Sequence, residues 1–369
     1  MEKIRVKLNK REYQIIIGFG AIKSLYSEIK RLDLGTDAYI ITNPVIKKLY
    51  GKDVLAPLKK HGIKYRFEIT ADSEKSKSLN NCLRIIEDLA RFDRKRKIFI
   101  IALGGGVIGD LGGFIASIYK RGVPCIQVPT TLLACVDSSI GGKTGVDLKV
   151  GKNLVGTFYQ PRSVICELSF LKSLGLRQVR SGLAEIIKYA IIKDKKLFGY
   201  LEKNYLKILG LQKGPIKYIV KCCARIKAQI IQQDEREERG IRTILNFGHT
   251  LGHAIEAAGG YQKYNHGEAI ALGMILAGRI SKKIKLIDKN TQSRIKELIE
   301  SVGLPNQIRG LSLDKILKAH YRDKKFIGKL NRFVLIKGIG KTTIKSNIPL
   351  GVIRDSLSSQ MRPPRNTLR

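Results

Sequence analysis

The chain has 369 residues, 43% of them hydrophobic, and carries 69 Lys and Arg against 31 Asp and Glu, a formal charge of +38. That length supports two domains with ordinary cores and excludes a disulfide-stapled mini-protein. No apolar run approaches the roughly 18 residues of a membrane span, and the basic residues are spread out, with only short runs such as DRKRK (93–97), so the charge reads as a solvated surface that attracts small anions; polynucleotide binding is not expected.

The N-terminal stretch MEKIRVKLNKREYQIIIGFG alternates and turns like a β-hairpin and lacks the zones of a signal peptide, which points to a cytoplasmic protein. Strand-like runs follow at 38–43 (AYIITN), 64–70 (KYRFEIT), 97–103 (KIFIIAL) and 124–130 (PCIQVPT). Residues 44–62 and 73–92 between them carry helical periodicity. This alternation predicts a mainly parallel, Rossmann-like sheet over residues 1–170. The six cysteines lack C-x-x-C spacing, and Cys125, Cys135 and Cys166 lie in apolar stretches, so buried thiols are expected in place of disulfides or metal ligands.

After KIFIIAL comes GGGVIGDLGGF, in which Gly104, Gly106 and Gly109 satisfy G-x-G-x-x-G. Glycines let backbone N–H groups approach a pyrophosphate, and the helix expected to open near Gly109 and Asp110 adds its dipole. The pattern alone is weak, because a tight strand-to-helix turn needs packing glycines too. Asp110 reads equally as a helix cap and as a cofactor contact.

From about residue 171 the β signals fade. In GLAEIIKYAII, Leu183, Ile186, Ile187, Ala190 and Ile191 recur on one helical face, so residues 171–369 read as a mostly helical domain. The last eight residues read as a frayed basic tail. Three of the five histidines fall between 249 and 266. If FGHTLGHAIEAAG is helical, His249, His253 and Glu256 share one stripe, and His-x-x-x-His is a spacing with which a helix offers two imidazoles to zinc. Asn265 and Glu268 read as a capping box that puts His266 in the first turn of the next helix, from which it could approach the pair. These residues suggest a divalent metal held by two or three imidazoles and a carboxylate that local spacing does not identify.

Read together, GGGVIGDLGGF, RGVPCIQVPTTLLACVDSSIGGKTGVD, GKNLVGTFYQP, AEIIKYA, DEREERGIRTILNFGHTLGHAIE and YNHGEA resemble the 3-dehydroquinate synthase family, in order, from about residue 36 to 340. The resemblance implies an NAD-binding domain followed by a helical domain, one catalytic divalent ion (Zn2+, with Co2+ as the alternative), and a homodimer. It assigns the metal to Glu185, His249 and His266 and turns His253 towards substrate, against the local spacing. Three protein ligands leave coordination open for a substrate hydroxyl. It implies substrate contacts from Lys143, Lys188, Lys227, Arg242 and Asn246, from Lys325 of the pair Lys324–Lys325, and from Arg121 at a neighbouring subunit's phosphate site, and Asp137 of VDSS is then expected to orient a substrate hydroxyl together with Lys143. Lys152 and Asn153 fall between the substrate and cofactor positions. On the cofactor side it implies Gly105, Gly106, Val107, Asp110, Thr130 and Thr131, with Glu74 and Lys77 near the adenosine, Lys143 shared, and Asn43 where many members carry a ribose-binding aspartate. Gly175 and Gln178 replace a common proline and glutamate.

The activity so implied is conversion of 3-deoxy-D-arabino-heptulosonate 7-phosphate to 3-dehydroquinate by transient oxidation, phosphate elimination, reduction and aldol closure. Two rivals share the apparatus: another sugar-phosphate cyclase, against which Arg242 and Lys227 offer cations for a substrate carboxylate, and a metal-dependent polyol or glycerol dehydrogenase, which would release NADH.

Overall fold

The computed structural model describes all residues except 10, 72, 94–96, 149, 322–330 and 362–369. The expected basic tail therefore lies outside the described residues, as do Lys324 and Lys325. Two compact units form, one from residues 1–175 with 213–238 and the other from 176–212 with 239–369.

In chain order the elements are β1 (Glu2–Leu8), β2 (Arg11–Gly18), α1 (Leu25–Arg31), β3 (Asp37–Thr42), α2 (Pro44–Lys60), β4 (Lys64–Ile69), α3 (Leu79–Phe92), β5 (Ile98–Gly104), α4 (Gly106–Ile118), β6 (Cys125–Pro129), β7 (Lys143–Leu148), β8 (Gly151–Phe158) and β9 (Ser163–Glu167). Then follow α5 (Leu176–Lys193), α6 (Lys195–Leu209), α7 (Lys213–Gln233), α8 (His249–Ala258), α9 (His266–Lys283), α10 (Lys289–Ser301), α11 (Leu313–Tyr321), β10 (Arg332–Gly338), β11 (Lys341–Ser346) and α12 (Leu350–Ser358).

The first unit is built on a seven-stranded sheet in the order β1-β2-β9-β6-β5-β3-β4, parallel except for the β1–β2 hairpin. Strands β3 and β5 are buried along their whole length, which explains their continuous apolar runs: a parallel strand covered on both faces has no polar side. After β3 the chain adds β4 on one side, and after β5 it adds β6 on the other. The strand order thus reverses between β3 and β5, the position at which open α/β sheets bind ligands at their carboxyl ends.

Helix α7 lies beyond the expected 170/171 boundary yet belongs to the first unit. It buries Ile216, Ile219, Val220, Cys223 and Ala224 at helical spacing and packs on β1 and β2 in the first unit. The chain therefore leaves the first unit, returns and leaves again. In the second unit α9 packs against α5, α8 and α10, and the hairpin β10–β11 adds strand structure that the fading β signal did not predict. Among the described residues, none of the six cysteines is in a disulfide and five are buried. No helix there is long and apolar enough to cross a membrane.

Candidate functional site

The second unit brings Glu185, His249 and His266 together. Glu185 projects from the middle of α5 and is fully buried. His249 opens α8 after Gly248, whose φ of 78° is the left-handed turn that a side chain would resist. His266 opens α9 under the capping box expected from the sequence: the Asn265 side chain accepts from the Glu268 N–H and the Glu268 carboxylate accepts from the Asn265 N–H, each at 2.9 Å. Arg177 of α5 grips the same Glu268 with two bonds, at 2.7 and 2.8 Å, and the Ser181 hydroxyl accepts from the Gly267 N–H at 3.2 Å. These contacts set the start of α9 against α5.

Glu185 Oε1 lies 3.2 Å from His266 Nε2 and 3.4 Å from His249 Nε2. Metal–nitrogen and metal–oxygen bonds of roughly 2.0–2.2 Å at tetrahedral angles separate neighbouring donors by about 3.3 Å, so this donor set fits one divalent ion. The His249 Nδ1–H can donate to the Phe247 carbonyl at 3.1 Å, leaving Nε2 as the lone-pair nitrogen. Burial foremost, with Lys188 and His266 adding to it, holds the His249 pKa below its ordinary value, and a neutral imidazole is what a ligand must be. Burial alone would raise the Glu185 carboxyl. The Lys188 ammonium, which pairs with Oε2, and the two imidazoles outweigh it and keep the group well below the carboxylate range.

His253 stands one turn after His249, its ring 5.2 Å from that of His249 and 6.2 Å from that of His266. It is absent from the Glu185 group and belongs to a second set of neighbouring donors, with Glu256 and His266. Arg242 and Asn246 bound the 3-10 turn before α8, and Arg242 is buried.

In the first unit, Gly105 caps α4, which opens at Gly106, a turn earlier than the sequence suggests. A Cβ on Gly105 would come within 3.1 Å of Thr131, and one on Gly106 within 3.1 Å of Ser138 Oγ. The buried hydroxyls of Thr130 and Ser138 have no hydrogen-bond partner among the described residues. A bare helix N-terminus ringed by unsatisfied hydroxyls, at the point where the strand order reverses, fits a pyrophosphate. Gly104, Gly109, Gly112 and Gly113 do different work: a Cβ on any of them would press within 3.0 Å of Ile108, Gln127, Ala102 or Thr144 respectively, so they allow α4 to lie close on its neighbours.

Val107 lies in the first turn of α4. Asp110, left open as cap or contact, accepts from Lys77 Nζ at 2.7 Å and is not the cap. Lys77 is buried; burial opposes its charge, but Asp110 first, then Glu74 and Asp147, outweigh that and raise its pKa. It also donates to the Asn153 side chain. Asp147, which the sequence did not single out, accepts from the Asn153 N–H at 2.7 Å and holds it at a φ of 53°. Lys152 precedes it at the start of β8. Asn43 is the buried N-cap of α2, its Oδ1 accepting from the Ile46 N–H at 2.8 Å.

Asp137 sits in a π-helical turn, Ala134–Ser138, a winding often found at functional sites. Lys227 of α7 donates to its carbonyl at 2.8 Å and to its carboxylate. Lys143 pairs with Glu237, another residue that sequence reasoning missed; its signal lay inside the DEREERG block. Arg121 is exposed, with a φ of 63°.

In comparison with known proteins, residues 68–181 match the family model for the 3-dehydroquinate synthase N-terminal domain and residues 182–326 that for the C-terminal domain. The family models divide the chain once, between residues 181 and 182, so that residues 213–238 of the first unit fall in the C-terminal model. A 3-dehydroquinate synthase of Desulforamulus reducens is 43% identical over 352 residues, 94% of this chain and 97% of the relative. Among solved structures, 2-deoxy-scyllo-inosose synthase with carbaglucose-6-phosphate, NAD+ and Co2+ superposes with a TM-score of 0.89 at 25% identity, covering 98% of this chain and 100% of that one. The 2-epi-5-epi-valiolone synthase of Streptomyces hygroscopicus subsp. jinggangensis, with NAD+ and Zn2+, gives 0.86 at 25% identity over 96% and 98%.

Proposed function

The chain belongs to the 3-dehydroquinate synthase family, and from that premise we propose that it converts 3-deoxy-D-arabino-heptulosonate 7-phosphate into 3-dehydroquinate and phosphate, a phosphorus-eliminating lyase using NAD+ and one divalent ion, zinc or cobalt. The observation that carries the reading is the meeting of Glu185, His249 and His266 at separations suited to one ion. When bound, the ion acidifies a substrate hydroxyl, and NAD+ takes up and later returns the hydride from the carbon bearing it.

In the second unit, Glu185, His249 and His266 hold the ion and Lys188 keeps Glu185 ionised. Arg242 and Asn246 bind the substrate's polar groups, and His253 receives or delivers protons at the reacting hydroxyl. In the first unit, the α4 N-terminus with Gly105, Gly106, Val107, Thr130 and Thr131 receives the pyrophosphate. Asp110, Lys77, Glu74, Lys152 and Asn153 line the nucleotide, and Asn43 donates its amide to a ribose hydroxyl. Lys143, Asp137 and Lys227 bind the substrate's hydroxyls and carboxylate. Because oxidation at one carbon acidifies the neighbouring C–H, elimination of phosphate needs only a modest base, and the departing phosphate's own oxygen can serve. Lys325 as a substrate contact and Arg121 at the phosphate site of a homodimer partner belong to the same proposal and rest on family resemblance alone; a cytoplasmic location is proposed with them.

The test is release of inorganic phosphate from the heptulosonate phosphate, with and without NAD+ and a chelator. Release is expected only with both cofactors and without net NADH. Accumulation of NADH with a polyol, and no phosphate release, would put the chain among dehydrogenases; preference for a sugar phosphate lacking the carboxylate would make it another cyclase.

A further inference from the structure

We infer that Glu256 is a positioning residue of the metal centre, its carboxylate facing the Nδ1 edge of His266 and so turning Nε2 of the same ring towards the ion. The inference rests on the metal reading of Glu185, His249 and His266. Glu256 lies two helical turns after His249 on the same face of α8, is 5% exposed, and holds Oε2 3.7 Å from His266 Nδ1. The opposite edge of that ring, Nε2, is 3.2 Å from Glu185 Oε1. The imidazole therefore stands between two buried carboxylates, one on each ring nitrogen.

A metal-ligating histidine has a second ring nitrogen whose N–H must point somewhere, and the buried Glu256 carboxylate faces it across the two helices at 3.7 Å. Ligating histidines regularly give that proton to a carboxylate or carbonyl, which fixes the tautomer and raises the basicity of the ligating nitrogen. His249 uses the Phe247 carbonyl for this purpose. His266, at the first residue of α9, reaches across to α8, and α8 meets it with Glu256. The rival for the same atoms is a second cation held by His253, Glu256 and His266, whose donors lie within 4.8 Å of one another. Since His266 Nε2 faces Glu185, a second ion would require both ring nitrogens to be metallated, and the N–H reading needs no such imidazolate.

The experiment measures Co2+ stoichiometry, affinity by chelator competition and the visible spectrum of the bound ion in the full chain, its Glu256→Gln and Glu256→Ala variants, and His249→Ala. The wild type should bind one ion tightly and His249→Ala should lose it; failure of either overturns the metal reading itself. Given that result, both Glu256 variants should keep one site with affinity reduced about 10–100-fold and a shifted spectrum. Unchanged affinity and spectrum would overturn the role of Glu256, and two tight ions in the wild type would make it a ligand instead. Should the variants fail to fold, imidazole 15N spectra of wild-type protein loaded with Cd2+ decide the matter: His266 bound through Nε2 with Nδ1 protonated is expected, and the reverse tautomer refutes it.

Discussion

Replacing Gly273 with alanine tests whether the crossing of α8 and α9 sets the metal geometry. A Cβ at this position would lie 1.9 Å from the Gly248 carbonyl oxygen and 2.8 Å from the Gly252 nitrogen, both backbone atoms that no rotamer change can move. Restoring a contact of 3.0 Å requires the helices to part by about 1.1 Å, and overpacking of this kind costs about 1–3 kcal/mol. His249 follows Gly248 directly, while His266 rides on α9, so the parting separates two of the three proposed ligands. Metal sites tolerate roughly 0.2 Å of error in ligand distance, and the Co2+ dissociation constant should rise on the order of 100-fold or more. Gly278→Ala, on the same helix with nothing within 4 Å of the new Cβ, is the matched control. It should leave metal affinity alone and stabilise by about 0.5–1 kcal/mol. The assay pairs melting temperature with chelator competition for both variants. If Gly273→Ala melts and binds Co2+ like Gly278→Ala, the close crossing does not position the ligands and the reasoning fails.

Three further outcomes are expected. His249→Ala abolishes turnover by losing the ion, whereas His253→Ala keeps most of the bound metal and loses rate; equal metal loss in both, measured by elemental analysis, would show the ligand assignment to be wrong. Asn43→Asp keeps the α2 cap, since the two residues cap about equally well, and offers the ribose a charge-assisted bond worth about 1 kcal/mol more than a neutral one. NAD+ should then bind about 3–10-fold tighter by calorimetry, and weaker binding would refute it. Burial pushes the Cys82 thiol up to about 11 and Cys125 up to about 12, while Cys222 is the one cysteine not buried. A thiol reagent at neutral pH should therefore label Cys222 first, and prompt labelling of Cys82 or Cys125 in native protein would contradict the burial.

The parts of the molecule that could be read from sequence are those whose pattern is local. Strands β3 and β5 announced themselves because both faces are covered, and the Asn265–Glu268 cap because its two partners are three residues apart. Strand β9 and the hairpins β7–β8 and β10–β11 went unread, since segments such as Lys143–Leu148 mix glycine and charge and acquire their pairing only from a partner strand. Helix α7 falls within the stretch read as mostly helical but belongs to the first unit, because an apolar helical face does not say which surface will cover it. At the metal cluster, spacing alone favoured His249 with His253. Which imidazole meets Glu185 depends on how α5 and α9 pack, and there the family resemblance supplied what periodicity could not.

The return of residues 213–238 to the first unit also governs how the polypeptide may be dissected. A fragment cut at the apparent seam near residue 170 would carry Ile216, Ile219 and Val220 without the strands that shield them, and its counterpart would lose the Lys227 that holds Asp137. Cut there, the first unit is split between the two pieces, so any dissection has to follow the discontinuous units and not the order of the chain.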